Sequence, residues 1–555
     1  MRTKAWLGAL ILALAAGAWG AESAGPYFKN ERWGYKVRAP DGWTAAAMGA
    51  TEEWIAGKHI GKRSLQPKNG AWSERPEMWV VGFPHARLED RGAKVEKEGD
   101  TTTITIKNPY KDYKDFLKRE RWFVGGGYFF SQEEEGELEG MKVSMYEVTV
   151  DKMVDSPFRM VAWVYHADDV DFAVQFRILA DHYDSHKAAF LGCLKSFRRI
   201  PRTAAIPGSA QTGDEKIVSI EDESKLPAEE RSKRRRESAD RAIAKEIEAL
   251  PQGWFTLENE QYVALSNADR KFTQTVLDHA TAIRAYLDKT FTGIGGDFVP
   301  RGVIRVFATD PERIAFLQTT RSFWGGIRQV LVSRATGQEK SWELESVSED
   351  ITHQWFSFKN RSLAYNMPYW ISDGLARYMK FARSKGKRLE FKPDDYDRQW
   401  IKELIKKGNA VPVRKLLEGD EKVFEAPGNQ GLQSGSVVQF LIERANRGAT
   451  KDCVRTYLAA LVTAVEAAEA EFKAFRDKQL EEAKQRAAES GAPGASEGDA
   501  DDDEGEDGEK QWKEFEEALK KKAKAIRETA FRQAFGALSD SDWQRLDTQW
   551  REFAG

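Results

Sequence analysis

Hydrophobic and polar positions follow two different rhythms along this chain. From about residue 34 to residue 180 the period is two. GYKVRAP, MWVVGF, TTTITI, KVSMYEVTV, RMVAWVYH and DFAVQFRILA place β-branched and aromatic residues at alternate positions, which predicts strands. Two stretches in the same region, YKDYKDFLKRERW and SHKAAFLGCLKSF, follow the helical period. A sheet with helices packed on it is the expected outcome. From Trp254 onward the balance reverses. The strand-like YVALSN leads into an amphipathic helix, DRKFTQTVLDHATAIRAYLDKTF, followed by GVIRVFA, the short helix PERIAFL, and RQVLVS. WELESVSEDITHQWFSF and, after Pro368, WISDGLARYMKFA predict two more helices, and the chain stays mostly helical to about Asp477.

Three segments break these rhythms. Residues 1–20 carry Arg2 and Lys4, an apolar run from Ala5 to Ala18, and small residues at Ala18 and Gly20, the pattern of a signal peptide cut before Ala21. The run is shorter than the roughly 20 apolar residues of a bilayer span. The expectation is export to the periplasm or the extracellular space, with no membrane span after cleavage. Residues 201–250 read as a charged linker, flexible at first and helical later, with a basic cluster Lys233-Arg234-Arg235-Arg236 on a solvated face. Residues 478–510, with GAPGASEGDADDDEGEDGE, predict a disordered acidic insertion inside the second domain, because no core can form from that run. The domains expected are therefore 27–200 and 252–555, the latter holding the insertion.

Composition narrows the function. The 85 basic and 88 acidic residues leave a net charge of −3, which excludes a dedicated nucleic-acid binder. An apolar content of 41% and 18 Trp are enough for real cores. Cys193 and Cys453, the two cysteines, fall in different predicted domains and in apolar helical contexts, so they read as buried free thiols. Nothing in the sequence sets an oligomeric state.

Candidate chemistry concentrates in one place. Glu349 and His353 are four residues apart on a predicted helix and share a face, with Asp350 beside them. The next helix brings in Asp373. The remaining histidines offer less. His182 and His186 have ligand spacing but sit beside Asp181 and Asp184 at a helix start, the pattern of a surface N-terminus. The Gly125–Gly127 run lacks the Lys and Ser/Thr of a phosphate cradle, there is no Gly-x-Ser-x-Gly elbow, and Ser434-Gly435-Ser436 reads as a closely packed helix start.

The segment Glu349 to Phe356, followed by Pro368-Tyr369-Trp370-Ile371-Ser372-Asp373-Gly374-Leu375-Ala376-Arg377-Tyr378, resembles the peptidase MA-like gluzincins, metallopeptidases of zincin fold. Their pattern is His-Glu-x-x-His on one helix and Pro-x-Trp-x-x-Glu-Gly-x-Ala-x-Tyr on the next. In it two His and the downstream Glu bind zinc, and the motif Glu activates water. The frame is present: Thr352, Gln354, Trp355, Pro368, Trp370, Gly374, Ala376 and Tyr378 fall in place. The chemistry is altered. His353 matches the second His, but Glu349 stands for the first, Asp350 for the general base and Asp373 for the ligand Glu. The later helices GSVVQFLIERANRG and AFGALSDSDWQRLDTQWREF extend the resemblance.

The altered set changes what the site can do. Zinc prefers N and S ligands, whereas one imidazole with two or three carboxylates suits harder cations. Asp350 is one methylene shorter than Glu, so its carboxylate falls roughly 1.5 Å short, and a general base must lie within about 2.6–3.2 Å of its proton.

In the first domain, Gly34 to Trp43 and the close of the region, Phe172 to Phe176, Tyr183, and Phe190 to Phe197, resemble the PsbP-like fold. The fold class expected is α+β: an N-terminal α/β/α sandwich, then a mostly helical zincin-like domain with a small N-terminal sheet. Zinc is the cofactor the resemblance implies, and no cofactor is the alternative. Three readings of function follow. One is an exported pseudo-metallopeptidase that binds a peptide or protein in the cell envelope. The second is a divergent metal-dependent hydrolase with Glu349, His353 and Asp373 as metal ligands and Asp350 as catalytic base. The third is a structural envelope adaptor.

Overall fold

The computed structural model describes residues 24–49, 52, 54–68, 73–85, 93–98, 101–106, 110, 112–119, 127–153, 156–203, 216–218, 227–251, 253–294, 300–319, 329–334, 340–359, 363–385, 388–392, 395–419, 430–468, 470 and 506–555. The expected signal peptide lies outside them, as do most of the flexible start of the linker and residues 478–505 of the expected acidic insertion. Its last residues, 506–510, were expected to be disordered but open the helix Glu506–Phe535. The fold is mixed, with several sheets and many helices, as the α+β expectation requires.

The chain divides into two compact units. The first runs to Pro227 and takes in Ala244–Trp254 and Thr309–Gly326. Its strands are β1 (Ala24–Asn30), β2 (Tyr35–Pro40), β3 (Thr44–Ala45), β4 (Ile55–Ile60), β5 (Glu77–Pro84), β6 (Ala93–Glu98), β7 (Thr101–Ile106), β8 (Tyr128–Leu138), β9 (Met141–Met153), β10 (Ser156–His166), β11 (Val170–Leu179), β12 (Arg198–Arg199) and β13 (Lys216–Val218). Seven of them form an antiparallel sheet in the order β3-β4-β5-β11-β10-β9-β8. Period-two alternation gives this sheet two apolar faces. Val161, Trp163, Tyr165, Phe172, Val174 and Phe176 meet Tyr35 and Val37 of β2 and Phe190, Cys193 and Leu194 of the helix Ala180–Leu194 on one side. Met160, Ala162, Val164, Ala173, Val81 and Phe83 meet Tyr113, Phe116 and Leu117 of the helix Tyr113–Arg119 on the other. A sheet with a helix on each face results, supplemented by the small sheets β1-β2-β12 and β13-β7-β6. β13 lies inside the segment expected to be a flexible connector, where Ile217 and Val218 give a short β-branched run that pairs with β7.

The second unit comprises Ala228–Ile243, Phe255–Ala308 and Ile327–Gly555. β14 (Phe255–Glu258), β15 (Tyr262–Ser266), β16 (Gly302–Phe307) and β17 (Gln329–Ser333) form a sheet in that order, the first pair antiparallel and the others parallel. The helix Arg270–Thr290 opens at Asp269, whose carboxylate accepts the Phe272 amide at 2.9 Å, a standard N-cap worth about 1 kcal/mol. It packs against this sheet and against the helix Lys340–Lys359, which itself packs on β17. A hairpin of β18 (Ala382–Lys385) and β19 (Arg388–Phe391) lies beside it. The rest is helical: Tyr369–Lys380, Asp395–Lys406, Val413–Glu418, Gln430–Glu443, 453–468, Glu506–Phe535 and Asp540–Ala554. One continuous core runs from Tyr262 through Trp355, Trp370 and Tyr457 to Trp550. Cys193 and Cys453 are free and buried. No helix among the described residues is long and apolar enough to cross a membrane.

Candidate functional site

The helix Lys340–Lys359 turns two different faces to its surroundings. Val347, Ser348, Ile351, Thr352, Trp355 and Phe356 are buried. Trp355 donates Nε1–H to Asp288 at 2.8 Å, and Lys359 bridges the same carboxylate at 3.1 Å. The Thr352 hydroxyl donates to the Ser348 carbonyl at 2.7 Å. The motif frame is therefore core packing, which explains its residue types. Glu345, Glu349 and His353 recur every four residues and lie half-buried, with Asp350 alongside.

The helix Tyr369–Lys380 packs against this one. Its own frame residues are anchors too. Trp370 is fully buried and meets Tyr457 edge-on at 4.9 Å. Tyr378 stacks on Phe391 at 4.5 Å and shares a hydrogen bond with Tyr286 at 3.1 Å. These anchors bring Asp373 within electrostatic reach of Glu349. The same face carries Arg377 and Lys380, four and seven residues beyond Asp373. Lys380 lies 3.9 Å from Glu345, and Arg383 bonds Glu345 at 2.6 Å.

Burial pushes the Glu349 carboxyl above the usual carboxylate range, against the pull of Lys380 and Arg377, while Asp350 and Asp373 push it further up. Burial and the neighbouring Asp373 carboxylate raise the Tyr369 phenol to about 12. The structure thus groups Glu349, Asp350 and Asp373, and it keeps His353 on the same helix face. It also adds Arg377, Lys380, Glu345 and Arg383, which the motif comparison passed over. Spacing places Glu345 in line with 349 and 353, and Arg377 and Lys380 in line with Asp373, but it does not say that these two helical stripes meet.

A zinc-type site needs its donors to converge on one point. Among the described residues no group of three or more His, Cys, Asp and Glu side chains is arranged to hold a metal ion. Glu349, His353 and Asp373 share a region without forming a coordinating set, and the nearby positive charge is supplied by Lys380 and Arg377. The residues present do not fit the zinc that the resemblance implies.

The other histidine pair lies in the first turns of the helix Ala180–Leu194. His182 Nε2 meets the Gln66 carbonyl at 2.8 Å, and His186 Nδ1 meets the His182 carbonyl at 2.9 Å. Both rings are thus engaged with backbone.

The fold and site define a mixed α/β protein with a helix-flanked antiparallel sheet and a charged interhelical seam. No family model matches the chain, and no curated protein matches it. Similar solved structures include a PsbP-like protein, cyanobacterial CyanoP from Synechocystis, at 16% identity over 33% of this chain and 97% of that one, with a TM-score of 0.22. Another is the Ran-binding protein Mog1p from Saccharomyces cerevisiae, at 8% identity over 32% of this chain and 97% of that one, TM-score 0.21. LpqN, involved in cell envelope biogenesis of Mycobacterium tuberculosis, is 10% identical over 30% of this chain and 83% of its own length, TM-score 0.20.

Proposed function

We propose that this is an exported, non-catalytic protein whose gluzincin-like C-terminal half binds a peptide or protein in the cell envelope. The observation that supports this reading is the set of side-chain cations beside the carboxylates of the seam. Glu349 feels Lys380 and Arg377, and Glu345 is bridged by Arg383. Fixed ammonium and guanidinium groups neutralise carboxylates, but they offer no open coordination position to activate water. They do offer hydrogen-bond donors to a peptide's carbonyls and acidic side chains. Exposed aromatic rings on the same unit, Tyr369, Tyr396 and Trp400, fit such binding.

The test pairs metal analysis with a peptide array. The purified protein is expected to hold no stoichiometric metal, to bind peptides equally with and without chelator, and to lose that binding in Arg377→Glu. The hydrolase reading draws on one observation, the raised pKa of half-buried Glu349 beside two carboxylates. Stoichiometric metal that disappears in His353→Ala, with peptide cleavage lost in Asp350→Asn, would establish that reading instead.

A further inference from the structure

A second site lies in the first unit, far in sequence from the motif helices and independent of how their function is read. Where β8, β9 and β10 meet the start of the helix Ala180–Leu194 there is a cavity of about 390 Å³, lined almost entirely by polar side chains. That volume is near the lower end of the range of about 300–1,000 Å³ found for small-molecule pockets.

Two groups in the cavity are left with unused hydrogen-bonding capacity. Tyr183 is only 5% exposed, and its hydroxyl makes no hydrogen bond at standard geometry, although the Glu147 carboxylate lies close enough to act on it. Buried polar groups are nearly always paired, so an orphan facing a cavity asks for a ligand. Burial, with the Glu147 carboxylate nearby, pushes this phenol well above its usual pKa, so it is present as a neutral O–H donor. Arg159 has five N–H donors. One reaches the Thr149 hydroxyl, and the guanidinium makes no ion pair among the described residues.

The other charges fix the sign of what fits. Lys187 is already held by Glu147 at 2.5 Å and lies over the Tyr183 ring at 5.4 Å. Asp181 accepts the Lys68 amide at 2.9 Å, and Asp184 makes no ion pair among the described residues. The Arg159 guanidinium comes from β10, whereas the Tyr183 hydroxyl and the Asp181 and Asp184 carboxylates all come from the helix Ala180–Leu194. A dianion such as phosphate would be repelled by Asp181, Asp184 and Glu147.

We propose that this cavity binds a small zwitterion of free amino acid to dipeptide size. Its carboxylate takes a forked pair of bonds from Arg159 and one from the Tyr183 hydroxyl, and its ammonium faces Asp184 and Asp181.

Calorimetric titration of the whole protein with alanyl-alanine tests this, beside its C-terminal amide, its N-acetyl form and inorganic phosphate. The dipeptide is expected to bind. The amide should fail to bind, and the N-acetyl form should bind more weakly. Tyr183→Phe keeps the ring and removes only the orphan hydroxyl. It should weaken the dipeptide about tenfold, the loss of one hydrogen bond to a charged group, without lowering the thermal midpoint. Arg159→Gln should abolish binding. The proposal is overturned if alanyl-alanine does not bind at millimolar concentration, or if its amide or phosphate binds as tightly. Equal affinity of Tyr183→Phe and the parent overturns it too, whatever Arg159→Gln does to the fold.

Discussion

Glu349 holds its proton more readily than an exposed glutamate, because burial outweighs the attraction of Lys380 and Arg377. The folded state therefore binds this proton over a window just above the ordinary carboxyl value, where the unfolded chain has released it. Stability falls as pH rises through that window, and the penalty persists at neutral pH. Glu349→Gln removes the charge and keeps the shape. Its thermal midpoint is expected to match the parent near pH 4 and to exceed it at pH 7.5. A lower midpoint at pH 7.5 would show that the cations gain more from the carboxylate than burial takes away. At this scale the sequence was informative about which residues meet, because four-residue spacing places Glu349 and His353 on one face and the Pro-x-Trp frame returns Asp373 to it. It was silent on Lys380 and Arg377 as counter-charges, since that depends on how two helices cross.

Two helices of the second unit approach closely enough that side chains give way to backbone. A Cβ at Gly374 would lie 3.0 Å from the Ser434 carbonyl oxygen and 2.9 Å from Val438 on the helix Gln430–Glu443. From the other side, a Cβ at Gly435 would lie 2.9 Å from the Arg377 Cβ. Alanine at Gly374 gains about 1 kcal/mol of helix propensity, while overpacking against backbone costs about 1–3 kcal/mol. Gly374→Ala is thus expected to destabilise by up to about 2 kcal/mol in urea unfolding. A stabilised variant would mean that the helices can separate freely. Ser434-Gly435-Ser436 lies a turn inside its helix, which begins at Gln430, so close packing was readable there but the boundary was not. The strands show the same division. β5, β9, β10 and β11 are rich in β-branched and aromatic residues and were legible, β5 and β11 as runs buried on both faces, with Phe172, Val174 and Phe176 all on one core face. β8 was missed because SQEEEGEL is a largely exposed edge strand, paired on one side only and with little apolar alternation to betray it.

Each of the two units carries a buried histidine that has to stay neutral. His59 packs edge-on against Phe28 at 4.8 Å in the first unit, and burial lowers its pKa to about 4. His279 in the second is fully buried, with Nε2 at 2.8 Å from the Ser348 hydroxyl, one residue before Glu349. Burial, then the nearby Arg383 charge, lowers it to about 4 as well. In the unfolded chain both rings titrate near the ordinary value of about 6.5. Each therefore contributes stability that is complete above that value and is lost as pH falls toward 4, because the unfolded state takes up a proton that the fold refuses. Integrated down to pH 5, the loss is on the order of 2 kcal/mol per histidine. Both units should soften in the same acid window even though they share no titrating group. Urea unfolding at pH 7.5 and pH 5 of the parent, His59→Gln and His279→Gln checks this. Each variant should lose about 2 kcal/mol less than the parent between the two conditions, whatever its stability at pH 7.5. If the variants and the parent lose the same amount, the acid response comes from the carboxylates instead. The seam around Glu349 would then resist it, since its raised pKa favours the fold as pH falls.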